Sequence, residues 1–280
     1  MKSPDASPGR DANPHAHIRA GAWRVSILDL RPSDRDVKFS SLEDEEFPMT
    51  LQVGFVGTDG IVLASDTKYG ETRDGAGIRR TKNRTKILMD TDRRIVVSSA
   101  RNMNVSEKVA RTLIDEINAE EWSSPEWRIK TIAEKAMQSM PIYARDVNCL
   151  VVSPSRRVFE LFTRRQDNGA DEAECEAAMD KAVAGDTFHP ALFWMERYYQ
   201  PRQRLRVLVP LAAHVINVAN KISPDKIEGL EIVVCDDSGI RRLSPDYIRG
   251  LQSMSDGLDE HCRSTLADCP APFTYSTDAL

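Results

Sequence analysis

Cysteine is scarce and poorly spaced for chemistry. The chain has five, at positions 149, 175, 235, 262 and 269, an odd number scattered over 280 residues. That pattern suits reduced thiols in a cytoplasmic protein better than a disulfide framework or a metal site. The five histidines (15, 17, 189, 214, 261) show no metal-ligand spacing, so neither a metal nor another cofactor is expected. There is no G-x-x-x-x-G-K-[ST] phosphate loop, so the chain itself is not expected to hydrolyse ATP. Net charge is only −5, which argues against a general nucleic-acid binder. Long apolar runs are missing as well. The stretch 207–213 is far too short to span a bilayer, and the opening MKSPDASPGR lacks the apolar core of a signal peptide.

What is present divides into a distinct first segment and a patterned remainder. Residues 1–48 hold five of the fifteen prolines, with seven basic and nine acidic residues and little periodicity. The expectation is an extension over 1–49, disordered or loosely attached, with one strand near 23–30 as the plainer reading. Two functional readings stand beside it. The segment is a propeptide whose removal exposes a new N-terminus, or it is untranslated and Met49 is the start, with EEFPM reading as a translated ribosome-binding site.

From residue 51 the chain alternates. LQVGFVG (51–57) and IVLASD (61–66) flank Thr58-Asp59-Gly60, a tight hairpin signal. A basic, glycine-containing stretch comes next, then short runs at 85–89 and 94–98 around Asp90-Thr91-Asp92. Val105, Val109, Leu113 and Ile117 at four-residue spacing predict a helix over 105–118. Ser124-Pro125 opens a second helix, through about 143. A hairpin is expected from CLVVSP to VFELF. The acidic 165–180 reads as a loop or surface helix, and 182–185 as a strand. Helices are expected at about 188–199 and 203–221, strands at 230–235 and 240–243, and a last helix from 245. Strands, two helices, strands, two helices, strands predict an α+β domain over 50–260, a four-layer αββα sandwich, with a loose tail over 261–280.

The segment MTLQVGFVGTDGIVLASDTK, together with the later RTKILMD, resembles the opening of proteasome β-type subunits, members of the N-terminal-nucleophile hydrolases. In that family a threonine at the start of the first strand becomes the chain N-terminus, an aspartate comes sixteen positions on, and a lysine begins a later strand. Thr50 and Asp66 match that spacing. Lys86, with Ile87-Leu88 behind it, matches the lysine after about four inserted residues; Lys82 fits an ungapped count but lacks the apolar strand. Singly, each reads as an ordinary strand-end polar residue; the joint spacing favours the functional reading. The resemblance implies a threonine whose own α-amine, with a pKa of about 7.7–8.0, takes the hydroxyl proton. A lysine cation lowers that pKa further, and an aspartate holds the lysine.

Later matches are looser. Ala184-Gly185-Asp186-Thr187 stands where the family has a serine after glycine, so Asp186 or Thr187 replaces it. In Asp225-Lys226-Ile227-Glu228-Gly229, Asp225 matches an aspartate and Glu228 departs from serine; Asp225 reads equally as a helix-to-strand turn residue. The family's oxyanion glycine falls at Arg101 or Asn102, where a backbone N–H survives beside a bulky side chain. The overall pattern resembles the bacterial proteasome homologues HslV, BPH and Anbu, with GDTFHPALFWMERYY and PLAAHVINVANKI pointing toward BPH or Anbu.

The resemblance implies a self-compartmentalising threonine endopeptidase acting through an acyl-enzyme. It also implies a homo-oligomeric ring in a bacterial cytoplasm, a stacked double ring in its fullest form. Peptide or unfolded protein would be the substrate, fed by a separate ATP-dependent unfoldase. A weakly active or inactive ring scaffold that binds partners is the first alternative, and a small-molecule amidase the second. Gly70, Arg84 and Ser99 are expected at the substrate cleft. Residues 73–86 carry six basic side chains in fourteen, a solvated loop or an acidic-substrate contact through Arg84. His214 reads as a packed histidine, and Cys149 and Cys235 as buried, inert thiols. Trp194, Glu196, Tyr198 and Tyr199 form either a subunit interface or core.

Overall fold

The computed structural model describes residues 50–72, 79–101, 103–117, 124–141, 145–166 and 169–267. The extension expected over 1–49, and the part of the expected tail beyond 267, lie outside the described residues.

Strands β1 (Leu51–Val56) and β2 (Gly60–Ser65) form the first hairpin, with Gln52 opposite Ser65. Both strands are buried on both faces, which is why their sequence is a nearly continuous apolar run rather than an alternation. A Cβ at Gly60 would lie 2.4 Å from the Cys235 carbonyl oxygen, so only glycine lets the turn approach the neighbouring strand. Strands β3 (Lys68–Thr72) and β4 (Arg79–Asn83) pair as a separate two-stranded sheet. A loop was the commoner expectation for that basic stretch. Its strands carry no apolar alternation, so no periodic signal marked them.

Strands β5 (Ile87–Asp90) and β6 (Ile95–Ser98) form the next hairpin, where Asp90 Oδ1 accepts the N–H groups of Asp92 and Arg93. Strand β7 (Ala100–Arg101) leads to helix α1 (Met103–Glu116), which buries Val105, Val109 and Leu113. Helix α2 (Pro125–Gln138) comes after it, ending before the expected limit near 143. Next come β8 (Val147–Val152), β9 (Val158–Arg165), β10 (Asp171–Ala178) and β11 (Lys181–Gly185).

Strand β10 corrects the loop or helix expected over 165–180. Its alanine and glutamate content suggests a helix, yet its period is two. Ala173, Cys175 and Ala177 pack against the core under α2, and all eight residues register against β9.

The chain closes with α3 (Leu192–Tyr198), α4 (Leu205–Ile222), β12 (Glu231–Asp236), β13 (Gly239–Arg242) and α5 (Pro245–Ala267). Helix α5 continues past the boundary expected at 260. By length and composition α4 would cross a bilayer, but it is a core helix that buries Leu208, Leu211, Val215 and Ile216.

Among the described residues the result is a mixed α/β fold with two main antiparallel sheets and five helices. One sheet has the order β11-β1-β2-β12-β13; the other runs β10-β9-β8-β6-β5, with β7 also on β8. Three buried clusters fill it. One joins β1, β2 and β12 to α3, α4 and α5. A second joins β6, β8 and β9 to α1 and α2. The third, including Leu63, Ile87, Val96, Leu150 and Val233, draws on both sheets. Full burial of one such aliphatic side chain contributes about 1.5–3 kcal/mol.

Candidate active site

Thr50 stands immediately before β1 and is only 4% exposed. The β1–β2 pairing returns the chain so that Asp66 lies beside it. Asp66 N–H donates to the Leu51 carbonyl, and Leu51 N–H donates to Asp66 Oδ1 at 3.1 Å. Lys68 N–H and Lys86 Nζ both donate to Asp66 Oδ2, at 3.2 and 2.7 Å. The same Lys86 Nζ donates to Thr50 Oγ1 at 2.9 Å. Thr50, Lys86 and Asp66 therefore form one continuous hydrogen-bonded chain, and the lysine and aspartate side chains are wholly buried. The lysine in contact is Lys86, the residue with the apolar strand behind it.

Burial dominates the electrostatics of the pair. It pushes Asp66 above the usual carboxylate range, while the Lys86 charge and the three donors pull it back. It pulls Lys86 below the usual amine range, opposed by Asp66 and then by Glu231. A lysine with a lowered pKa, aimed at a hydroxyl, gives up its proton more readily than an exposed one.

The Thr50 backbone is fixed from the opposite side. Asp186 N–H donates to the Thr50 carbonyl at 2.8 Å. Gly185 sits against that carbonyl with φ of 91°; a Cβ there would come within 1.9 Å of the oxygen. Asp186 Oδ1 accepts Phe188 N–H, so the side chain turns its own loop. Thr187 lines a cleft across β11, with Arg101, Asn148 and Glu160. Ser99 is buried; both its N–H and its hydroxyl donate to the Lys86 carbonyl.

Arg101 has a φ of 59°, in the left-handed region that favours glycine. Its guanidinium lies at the surface beside Asp146, at 3.3 Å. Gly70 is in β3 opposite Thr81. The Arg84 guanidinium is paired with Glu107 and lies over Tyr69. Asp225 is exposed, in the turn after α4, and among the described residues it makes no hydrogen bond to Thr50. The Glu228 side chain is exposed beside Lys68, while its carbonyl accepts the N–H groups of Thr67 and Lys68.

Sequence reasoning missed three supporting residues. Glu231 opens β12 and is buried. Its Oε1 accepts Lys86 N–H and Ile87 N–H, while Oε2 pairs with Arg242, which in turn donates to the Ile87 carbonyl. Two side chains thus hold the backbone that carries Lys86. Gln52, buried in β1, donates to the Ser99 carbonyl and accepts from Ser98 Oγ, tying one sheet to the other below the site. A polar side chain inside an apolar run was the available signal in LQVGFV and EIVVCD. Among the described residues no group of three or more His, Cys, Asp and Glu side chains could hold a metal ion.

No protein-family profile and no curated protein matches the chain. Solved structures do. Its fold is that of the Anbu proteins. Anbu (ancestral beta-subunit) from Yersinia bercovieri superimposes with a TM-score of 0.60 at 15% identity, over 79% of this chain and 98% of that one. The helical assembly of the Anbu complex from Pseudomonas aeruginosa gives 0.60 at 16% identity, over 80% and 98%. A Gly-1 mutant of Anbu from Hyphomicrobium sp. strain MC1 gives 0.53 at 16% identity, over 79% and 98%. The likeness supports the Anbu arm of the resemblance and does not single out HslV. It establishes a proteasome-like fold and leaves activity to the site.

Proposed function

We propose that the protein is a threonine-type endopeptidase of the N-terminal-nucleophile kind, with Thr50 as the nucleophile once residues 1–49 are absent. The observation that carries this reading is the buried hydrogen-bonded chain from Thr50 Oγ1 through Lys86 Nζ to Asp66 Oδ2. Freed Thr50 has an α-amine that accepts the hydroxyl proton as Oγ1 attacks a peptide carbonyl. The tetrahedral oxyanion is held by a backbone N–H near Arg101. Collapse expels the amine product, which takes the proton, and leaves an ester on Thr50. Water, activated by the same α-amine, hydrolyses that ester. Lys86 donates to Oγ1 throughout and disfavours protonation of the α-amine; Asp66 fixes Lys86. Asp225 is assigned the support of the freed amine, a contact that forms only in the cut chain.

The three buried clusters support a four-layer αββα reading of the fold. The chain is further proposed to assemble with copies of itself around an enclosed cavity, in a ring or stacked double ring. The helical assembly formed by the Pseudomonas aeruginosa Anbu complex supports self-association. A bacterial cytoplasm, an unfolded-protein substrate and a separate unfoldase complete the proposal.

One observation favours a second reading, a scaffold with little activity. An arginine occupies the left-handed position next to the site where the family has glycine.

The test is the intact mass and N-terminal sequence of protein purified from its own host, paired with hydrolysis of fluorogenic peptides. A chain starting at Thr50 that cleaves peptides, and a Thr50→Ala chain that does not, are expected. A processed chain without activity moves the conclusion to the scaffold.

A further inference from the structure

Along β11 lies a cleft of about 210 Å³ lined by Arg101, Asn148, Glu160, Phe162, Val183 and Thr187, among others. A backbone link through Asp186 joins it to Thr50. The Thr50 carbonyl accepts Asp186 N–H, and Asp186 stands between Gly185, which is hydrogen-bonded to Asn148, and Thr187 of the cleft wall.

The cleft is built on a strand edge. Among the described residues strand β11 ends its sheet, so its outward N–H groups have no strand partner there. Glu160 Oε1 accepts Val183 N–H at 3.0 Å, and Asn148 Oδ1 accepts Gly185 N–H at 3.2 Å. Two side chains from the other sheet thus cap the edge, and the cleft opens between them.

Its charge is unbalanced. The single cation, Arg101, is matched by Asp146. Glu160 faces Glu176 directly across the β9–β10 pairing, and among the described residues neither forms a salt bridge. Burial and the Glu176 charge both push Glu160 above the usual carboxylate range, the mark of an anion lacking a counter-ion. Phe162 and Val183 add apolar wall, which suits an aliphatic stem ending in a cation.

We propose that this cleft is a subsite for a basic side chain, lysine or arginine, of the substrate residue next to the bond cut at Thr50. The proposal rests on Thr50 being the nucleophile for its position, and on Glu160 with Glu176 for its selectivity.

Binding and hydrolysis are read separately on the full chain. N-acetyl-arginine amide is titrated by NMR against N-acetyl-norleucine amide and N-acetyl-glutamate amide. The arginine amide is expected to bind about tenfold tighter than either, an advantage lost in Glu160→Gln and reduced two- to threefold in Glu176→Gln. Glu160→Gln retains an acceptor for Val183 N–H, and the exposed Glu176 is a second variant free of folding effects. Peptides with arginine or norleucine on either side of the scissile bond then report kcat/KM. Arginine binding without hydrolysis supports the subsite while removing the hydrolase reading. Equal binding of the three amides, or an arginine preference untouched by both variants, overturns the subsite whether or not peptides are cut.

Discussion

Glu231 gives the sharpest prediction, because its carboxylate holds the Lys86 backbone. Glu231→Ala removes the acceptor of two buried N–H groups, Lys86 and Ile87, and leaves Arg242 without its carboxylate. Each orphaned N–H costs about 1–3 kcal/mol. Arg242 is 30% exposed and regains some water, so its loss is smaller. The two N–H groups give about 2–6 kcal/mol, a span centred on the roughly 3–5 kcal/mol for breaking one side of a buried pair, which is the loss expected. A domain with about 5–15 kcal/mol of stability still folds. Its urea midpoint falls by roughly 1–2.5 M for a slope of about 2–3 kcal/mol per M. Hydrolysis falls further, because a shift of about 1 Å in the Lys86 ammonium costs about a hundredfold. Glu231→Gln keeps an amide oxygen for the two N–H groups, so a loss of about 1–2 kcal/mol is expected, with activity reduced tenfold or less. Urea unfolding monitored by fluorescence, with peptide hydrolysis at a denaturant-free reference, checks both. A Glu231→Ala chain with the wild-type midpoint and wild-type kcat would refute the clamp.

Three further expectations are independent of it. Gly185→Ala places a Cβ against the Thr50 carbonyl at a positive φ, and should cost at least about 2 kcal/mol and most of the activity, read by thermal unfolding and peptide hydrolysis. Arg101→Gly trades relief from left-handed strain against unfolded-chain freedom, so stability should stay within about 0.5 kcal/mol while kcat/KM rises for bulky substrates; a fall in both measures would contradict this. His214, packed between Trp194 and Ser255, is held below its ordinary pKa by burial, with Asp259 opposing and Lys221 assisting; His189 is lowered by burial against Asp186. Folded-state values below the unfolded one mean that stability is full above about pH 6.5 and falls as the solution is acidified through the lowered values. Between pH 7.5 and 5.5 the loss is at most about 1.4 kcal/mol per histidine, and His214→Gln should flatten the slope of urea stability against pH.

The opening of the domain was legible because several local rules agreed. Asp-Gly fixed the first hairpin, the apolar runs fixed its strands, and strand geometry then carried Asp66 back to Thr50. Helix α1 was legible from one apolar stripe. Strand β10 was not, since alanine and glutamate favour helix locally and only pairing with β9 and cover from α2 make the strand the better solution. The β3–β4 hairpin was obscured by its charge. Lys86 was separable from Lys82 only by the apolar pair behind it, Ile87-Leu88. Glu231 meets Lys86, and Arg242 meets Ile87, across more than 140 residues of chain, and no local pattern encodes such meetings. Arg101 departs from the glycine that the resemblance implies, but its left-handed backbone is visible only in three dimensions.

The most direct measurement on the central claim is covalent labelling of the host-purified protein with a peptide epoxyketone, and then peptide mapping. An adduct on an N-terminal Thr50, absent from the Thr50→Ala and Lys86→Met chains, is the predicted result. A chain that begins at Thr50, carries intact Lys86 and Asp66 and takes no label would contradict it.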